Sequence, residues 1–86
     1  MDVRMPRVAI IGLGLIGGSL GLAIKASKQK DLEVVGADTY RRARKDAEKV
    51  KAVDQTHGDA RRAVEGAGLV IVATPPATVG EVFKDI

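Results

Sequence analysis

Val8-Ala9-Ile10-Ile11-Gly12-Leu13-Gly14-Leu15-Ile16-Gly17 is the stretch on which the reading of this chain turns. Four uninterrupted apolar residues, bounded by Pro6 and Gly12, have the pattern of a parallel strand covered on both faces. Three glycines follow at the spacing G-x-G-x-x-G. From Leu15 the period changes. Ile16, Leu20, Ala23 and Ser27 recur at helical spacing, and Gly17 and Gly21 stand one turn apart.

The same alternation continues outward. Leu32 to Ala37 predicts a second strand. Thr39 to Lys51 predicts a helix whose inward stripe is Tyr40, Ala43, Ala47 and Val50. Val53 to Thr56 has room only for a short third strand. Asp59 is placed to cap a third helix with the stripe Ala60, Ala63, Val64 and Ala67, ended by Gly66 and Gly68. Leu69 to Ala73 is a second wholly apolar strand, broken by Thr74-Pro75-Pro76. Val79, Val82, Phe83 and Ile86 then mark a fourth helix. Strands alternating with helices predict an α/β fold: a partial Rossmann fold with a parallel sheet flanked by helices, in strand order 3-2-1-4. The last apolar stripe is still running at Ile86. Residues 1–86 are therefore expected to be the N-terminal part of a dinucleotide-binding domain, truncated before its remaining strands. The catalytic and dimerisation domain would lie outside them, and the fourth strand would form a sheet edge.

The glycine spacing has a chemistry. Gly12 permits the tight turn out of the strand. Gly14, lacking a Cβ, allows a pyrophosphate to approach the backbone. Gly17 lets the helix pack close. The amides of Leu15 and Ile16, at the positive end of the helix dipole, are candidate donors to the phosphates. Asp38 closes the next strand 21 residues after Gly17, where such folds carry a carboxylate for the ribose hydroxyls. That carboxylate would repel a 2′-phosphate, so NAD is favoured over NADP. Arg41 and Arg42 stand close by and are able to pair with a phosphate, or to face water as the first turn of a charged helix. Thr74 and Pro75, at the carboxyl end of the fourth strand, are candidates for the path toward the nicotinamide ribose. They read equally well as a plain helix start.

Composition narrows the remaining classes. The 86 residues are 45% hydrophobic and 29% charged, with a net charge of +3. The basic excess lies among Arg41, Arg42, Arg44, Lys45, Lys49 and Lys51, interleaved with Asp46 and Glu48. With only Tyr40 and Phe83 aromatic, this reads as a solvated helix face and not a nucleic-acid surface. No cysteine is present, which excludes thiolate chemistry from this span and fits a cytoplasmic protein. The apolar run from Val8 to Ile16 is too short to cross a membrane. His57, the one histidine, falls in a polar stretch and reads as a surface loop residue. No paired carboxylates, metal-ligand cluster or nucleophile–base set appears. The span has binding machinery and no catalytic residue.

The run Val8 to Leu20, with its Gly14-Leu15-Ile16-Gly17-Gly18-Ser19-Leu20 core, closely resembles the opening of the prephenate dehydrogenase family, which includes arogenate dehydrogenases. Val34-Val35-Gly36-Ala37-Asp38 and Ala67 to Pro76 look like that family's second and fourth strands. The resemblance implies an oxidoreductase of tyrosine, and so aromatic amino acid, biosynthesis. It would carry out oxidative decarboxylation of prephenate to 4-hydroxyphenylpyruvate as a cytoplasmic homodimer, with its catalytic histidine beyond the region matched. Carried over residue by residue, it implies cofactor contacts at Gly12, Gly14, Leu15, Ile16, Gly17 and Asp38, and less directly at Thr74 and Pro75. This fragment alone would be inactive. Two alternatives share the front end: another NAD(P)-dependent reductase, and a non-catalytic NAD-sensing regulatory module.

Overall fold

The computed structural model describes residues 7–27 and 32–74. The predicted fourth helix, with Val79, Val82, Phe83 and Ile86, lies outside them, as does Pro75. The elements run β1 (Arg7–Ile11), α1 (Leu15–Ala26), β2 (Glu33–Ala37), α2 (Arg41–Lys49), β3 (Gln55–His57), α3 (Ala60–Ala63) and β4 (Leu69–Val72). The four strands form one parallel sheet in the order β3-β2-β1-β4, the Rossmann-like arrangement expected from the alternation.

β1 is central, and its position explains its composition. It pairs with β2 from Arg7↔Glu33 to Ile11↔Ala37 and with β4 from Val8↔Leu69 to Ile11↔Val72. Ala9 and Ile10 are fully buried. Side chains alternate across the sheet, so two cores form. Val8, Ile10 and Val34 meet Leu20, Ile24, Ala43 and Ala47, the α1 and α2 side. Ile11, Val35 and Ala37 meet Ala60, Ala63 and Val64, the α3 side. Each buried aliphatic side chain is worth roughly 1.5–3 kcal/mol, so these short strands depend on both layers.

The helix faces differ from the stripes expected of them. On α1 the side turned inward is Gly17, Leu20, Gly21 and Ile24, while Ala23 and Ser27 are exposed. The cause is close approach. A Cβ on Gly21 would meet the carbonyl oxygen of Ala52 at 2.4 Å, so glycine, invisible to a hydrophobic count, marks the packed face. On α2, Ala47 is buried and Ala43 half-buried, but Tyr40 is 75% and Val50 55% exposed. Both flank the helix instead of belonging to it, so its period does not orient them. β3 starts two residues later than expected and takes in His57, which is half-buried at its carboxyl end. α3 is a single short turn. The Asp59 carboxylate accepts from the Arg61 amide at its start, and Gly66 takes φ +71 soon after its end.

At the amino ends of the strands a polar row closes the sheet. Arg7 Nε donates to Glu33 Oε1 at 2.6 Å, Gln55 Nε2 donates to Glu33 Oε2 at 3.1 Å, and Arg7 Nη1 donates to the Glu65 carbonyl at 2.9 Å. The opposite, carboxyl ends carry the glycine loop.

Candidate functional site

All four strands point their carboxyl ends to one side, and the loop from Gly12 to Gly14 crosses that side. Gly12 sits at φ +100, which an L side chain rarely adopts. Its N–H donates to the Ala37 carbonyl at 2.8 Å. A Cβ there would also stand 3.0 Å from Thr74 Cγ2 and from the Ala73 carbonyl carbon. Gly12 thus lies wedged between the ends of β2 and β4.

The three glycines of the motif meet different neighbours. A Cβ on Gly17 would sit 1.8 Å from the Gly12 carbonyl oxygen, so helix α1 can reach the loop only without a side chain there. At Gly14 nothing lies within 4 Å of the added Cβ. Its φ of −69 is open to any residue. No neighbouring atom among the described residues requires glycine at this position.

Gly14 is also the N-cap of α1. It provides no side-chain cap, and no acidic residue stands in the first turn. The amides of Leu15, Ile16 and Gly17 therefore start the helix without intrahelical acceptors, at the positive end of its dipole.

Asp38 follows β2 directly. Its Oδ2 accepts the Leu13 amide at 2.8 Å and its Oδ1 the Tyr40 amide at 2.9 Å. Its own N–H donates to the His57 carbonyl at 3.1 Å. Arg44 Nη1 donates to the carbonyls of Asp38 at 2.7 Å and Thr39 at 3.2 Å. A carboxylate offers about four lone-pair positions, so both oxygens keep capacity for further donors.

At the carboxyl end of β4 the Ala73 N–H donates to the Ile11 carbonyl at 2.8 Å. The hydroxyl oxygen of Thr74 is buried with no hydrogen-bond partner among the described residues. Such a group costs about 1–3 kcal/mol unless something supplies a partner.

Gly12, Gly14, Leu15, Ile16, Gly17, Asp38 and Thr74, picked out from the sequence, therefore gather at one end of the sheet. Pro75 lies outside the described residues. The side chains of Arg41 and Arg42 are exposed and make no hydrogen bond or ion pair among the described residues. His57 stands at the same end, in register with Ala37, so it belongs to the sheet and not to a surface loop. Three contributors were not foreseen. In the sequence Arg44 stands only as part of a charged face. Leu13 fills the open place in G-x-G. Gly36 has its missing Cβ position taken by Leu13 Cδ2 at 2.6 Å. A glycine two residues before the acidic one was the only available signal for that contact. Among the described residues no cluster fit to hold a metal occurs, and no helix is long and apolar enough to cross a membrane.

Comparison with known proteins agrees with this fold. The profile of the family described as NADP oxidoreductase coenzyme F420-dependent matches residues 7–86. No curated protein matches the chain. Among solved structures, the chain is similar to prephenate dehydrogenase from A. aeolicus in complex with hydroxyphenyl propionate and NAD+. That match has a TM-score of 0.84 at 21% identity, over 99% of this chain and 30% of that one. It is also similar to GenD2 from gentamicin A biosynthesis in complex with NAD, with a TM-score of 0.75 at 23% identity, over 93% of this chain and 23% of that one. The chain thus spans less than a third of either. At these identities the likeness establishes the fold.

Proposed function

The chain belongs to the family described as NADP oxidoreductase coenzyme F420-dependent, an NAD(P)-binding Rossmann-like domain of oxidoreductase type, and on that premise we propose that its glycine loop holds the adenosine and pyrophosphate end of NAD for a dehydrogenase of the prephenate type. The observation that carries this reading is Gly14. It has no neighbour among the described residues to make room for, yet it stands at the uncapped start of α1. The space a side chain would take is the space a diphosphate needs, and the amides of Leu15, Ile16 and Gly17 are the donors for it.

The remaining residues fit the same group. Asp38 keeps acceptor capacity for the ribose hydroxyls and places its charge where a 2′-phosphate would be repelled. The buried hydroxyl of Thr74 would gain a partner from the dinucleotide where it passes the end of β4. Gly12 and Gly17 shape the turn. When bound, the dinucleotide supplies a hydride acceptor at its nicotinamide ring. This chain's residues bind and orient it, and the groups that polarise a substrate belong to a partner domain.

What supports the finer reading, oxidative decarboxylation of prephenate or arogenate by a homodimeric enzyme, is the run from Gly14 to Leu20 and the flanks of β2 and β4. The test uses the full-length protein: titration with NAD and NADP, then assay with prephenate and arogenate. NAD is expected to bind more tightly, and one of the two substrates is expected to reduce it. Failure to turn over either removes the finer reading. Failure to bind either dinucleotide removes the whole proposal.

A second reading rests on Arg41 and Arg42, which are exposed and unpaired among the described residues at the first turn of α2, next to Asp38. Two guanidinium groups there are suited to a 2′-phosphate. Tighter binding of NADP than of NAD, lost in Arg41→Ala and Arg42→Ala, would replace the first reading with this one.

A further inference from the structure

The two bonds that the Asp38 carboxylate makes within the chain are not needed to grip a ribose. Through Oδ2 it holds the Leu13 amide and through Oδ1 the Tyr40 amide. One side chain thereby joins the loop after β1 to the turn before α2. Gly12 and Gly14 have no side chains with which to steady that loop themselves.

The other end of the clamp is anchored. The Asp38 N–H is bonded to β3 through the His57 carbonyl, and its carbonyl accepts from Arg44 on α2. Leu13 is gripped a second time, since its buried side chain occupies the space over Gly36. The end of β2 therefore holds Leu13 by its side chain and by its amide.

We propose that Asp38 is a positioning residue for the glycine loop, fixing the Leu13 amide before any dinucleotide arrives, so that it sets affinity for either dinucleotide through loop shape, apart from any effect of its charge. The clamp itself is independent of any ligand. Its consequence for binding rests on the cofactor reading given above. If charge alone mattered, removing the carboxylate would relieve repulsion of a 2′-phosphate and raise affinity for NADP. With the clamp, loss of the carboxylate loosens the loop, and affinity for both dinucleotides falls together.

The experiment compares wild type, Asp38→Ala and Asp38→Asn in the full-length protein. Two quantities are read: hydrogen exchange at the Leu13 amide, with the central-strand Ile10 amide as reference, and affinity for NAD and NADP. Asp38→Ala is expected to speed Leu13 exchange by roughly tenfold or more, with Ile10 unchanged, and to weaken both dinucleotides by a similar factor. Asp38→Asn keeps one carbonyl acceptor, while its amide nitrogen cannot accept. It is therefore expected to rescue part of each effect, and it decides the matter alone if the alanine variant does not fold. Unchanged exchange at Leu13 overturns the clamp, and a gain in NADP affinity overturns its consequence for binding. If wild type binds neither dinucleotide, the cofactor reading falls, and the exchange rates, which need no ligand, still decide the clamp.

Discussion

The carbonyl oxygen of Gly12 lies 1.8 Å from where a Cβ on Gly17 would stand. First helix and first loop are therefore in direct backbone contact, with no room for one methyl group. Gly17→Ala is expected to push α1 off the loop and to cost about 1–3 kcal/mol or more, as overpacking of a rigid contact does. Gly14→Ala is expected to behave oppositely. Its added methyl meets nothing, so thermal stability should stay within about 1 kcal/mol of wild type, while NAD affinity drops. Paired melting curves and titrations check this. Equal losses of stability in both variants would contradict it.

Thr74 gives a second contrast. Its hydroxyl is buried and has no partner among the described residues. Thr74→Val keeps the shape and removes the orphaned oxygen, so the unliganded protein is expected to gain about 1 kcal/mol. If the dinucleotide satisfies that hydroxyl, the same variant binds NAD more weakly. Differential scanning calorimetry without and with NAD reads both signs. A loss of stability in the unliganded form would show that the hydroxyl already has a partner.

Asp54 links stability to acid. Partial burial pushes its carboxyl up. The hydrogen bonds from Lys25 Nζ at 2.6 Å and from the Val34 amide at 2.8 Å, with the lysine charge, outweigh that and hold it below its ordinary 3.8. A carboxylate with a lowered folded value contributes stability above its unfolded value and loses it as pH falls through the folded one. Unfolding free energy measured from pH 6 downward is therefore expected to decline below about pH 4, less steeply in Asp54→Asn. The pair is about one-third exposed, so its share is no more than about 1 kcal/mol and shrinks with salt. An identical acid limb in the variant would remove Asp54 from the account.

Among the described residues β4 is an edge of the sheet, with Leu69 54% and Val70 36% exposed. An apolar edge strand invites association. The 86-residue chain is expected to sediment as a concentration-dependent mixture of species, and Val70→Lys to shift it toward monomer. A single monomeric boundary for the unmutated chain at every concentration would contradict this.

Much of this molecule was legible along the chain, and the legible parts share a cause. Val8 to Ile11 is apolar without interruption because β1 has strands on both sides and helix layers on both faces. Asp59 caps a helix through its own next-but-one amide. The glycine loop is a run of consecutive residues with a fixed stereochemical demand at Gly12. Each of these is a local relation, so spacing and residue type express it.

The rest depended on which segments meet. Gly21 faces inward because Ala52 comes within 2.4 Å of its missing Cβ position, a contact across 31 positions that no helical period announces. Tyr40 and Val50 belong to the expected apolar stripe of α2 but sit just beyond its ends, so they face water. Leu13 lies over Gly36, and Asp38 reaches back 25 residues to the Leu13 amide. Neither contact exists until β1 and β2 lie side by side in register. Strand order and the glycine turn follow from local pattern and handedness. The shape of the loop that would receive a ligand follows from backbone groups brought together by assembly of the sheet, since hydrogen bonds and excluded volume act at contact distance and not along the chain.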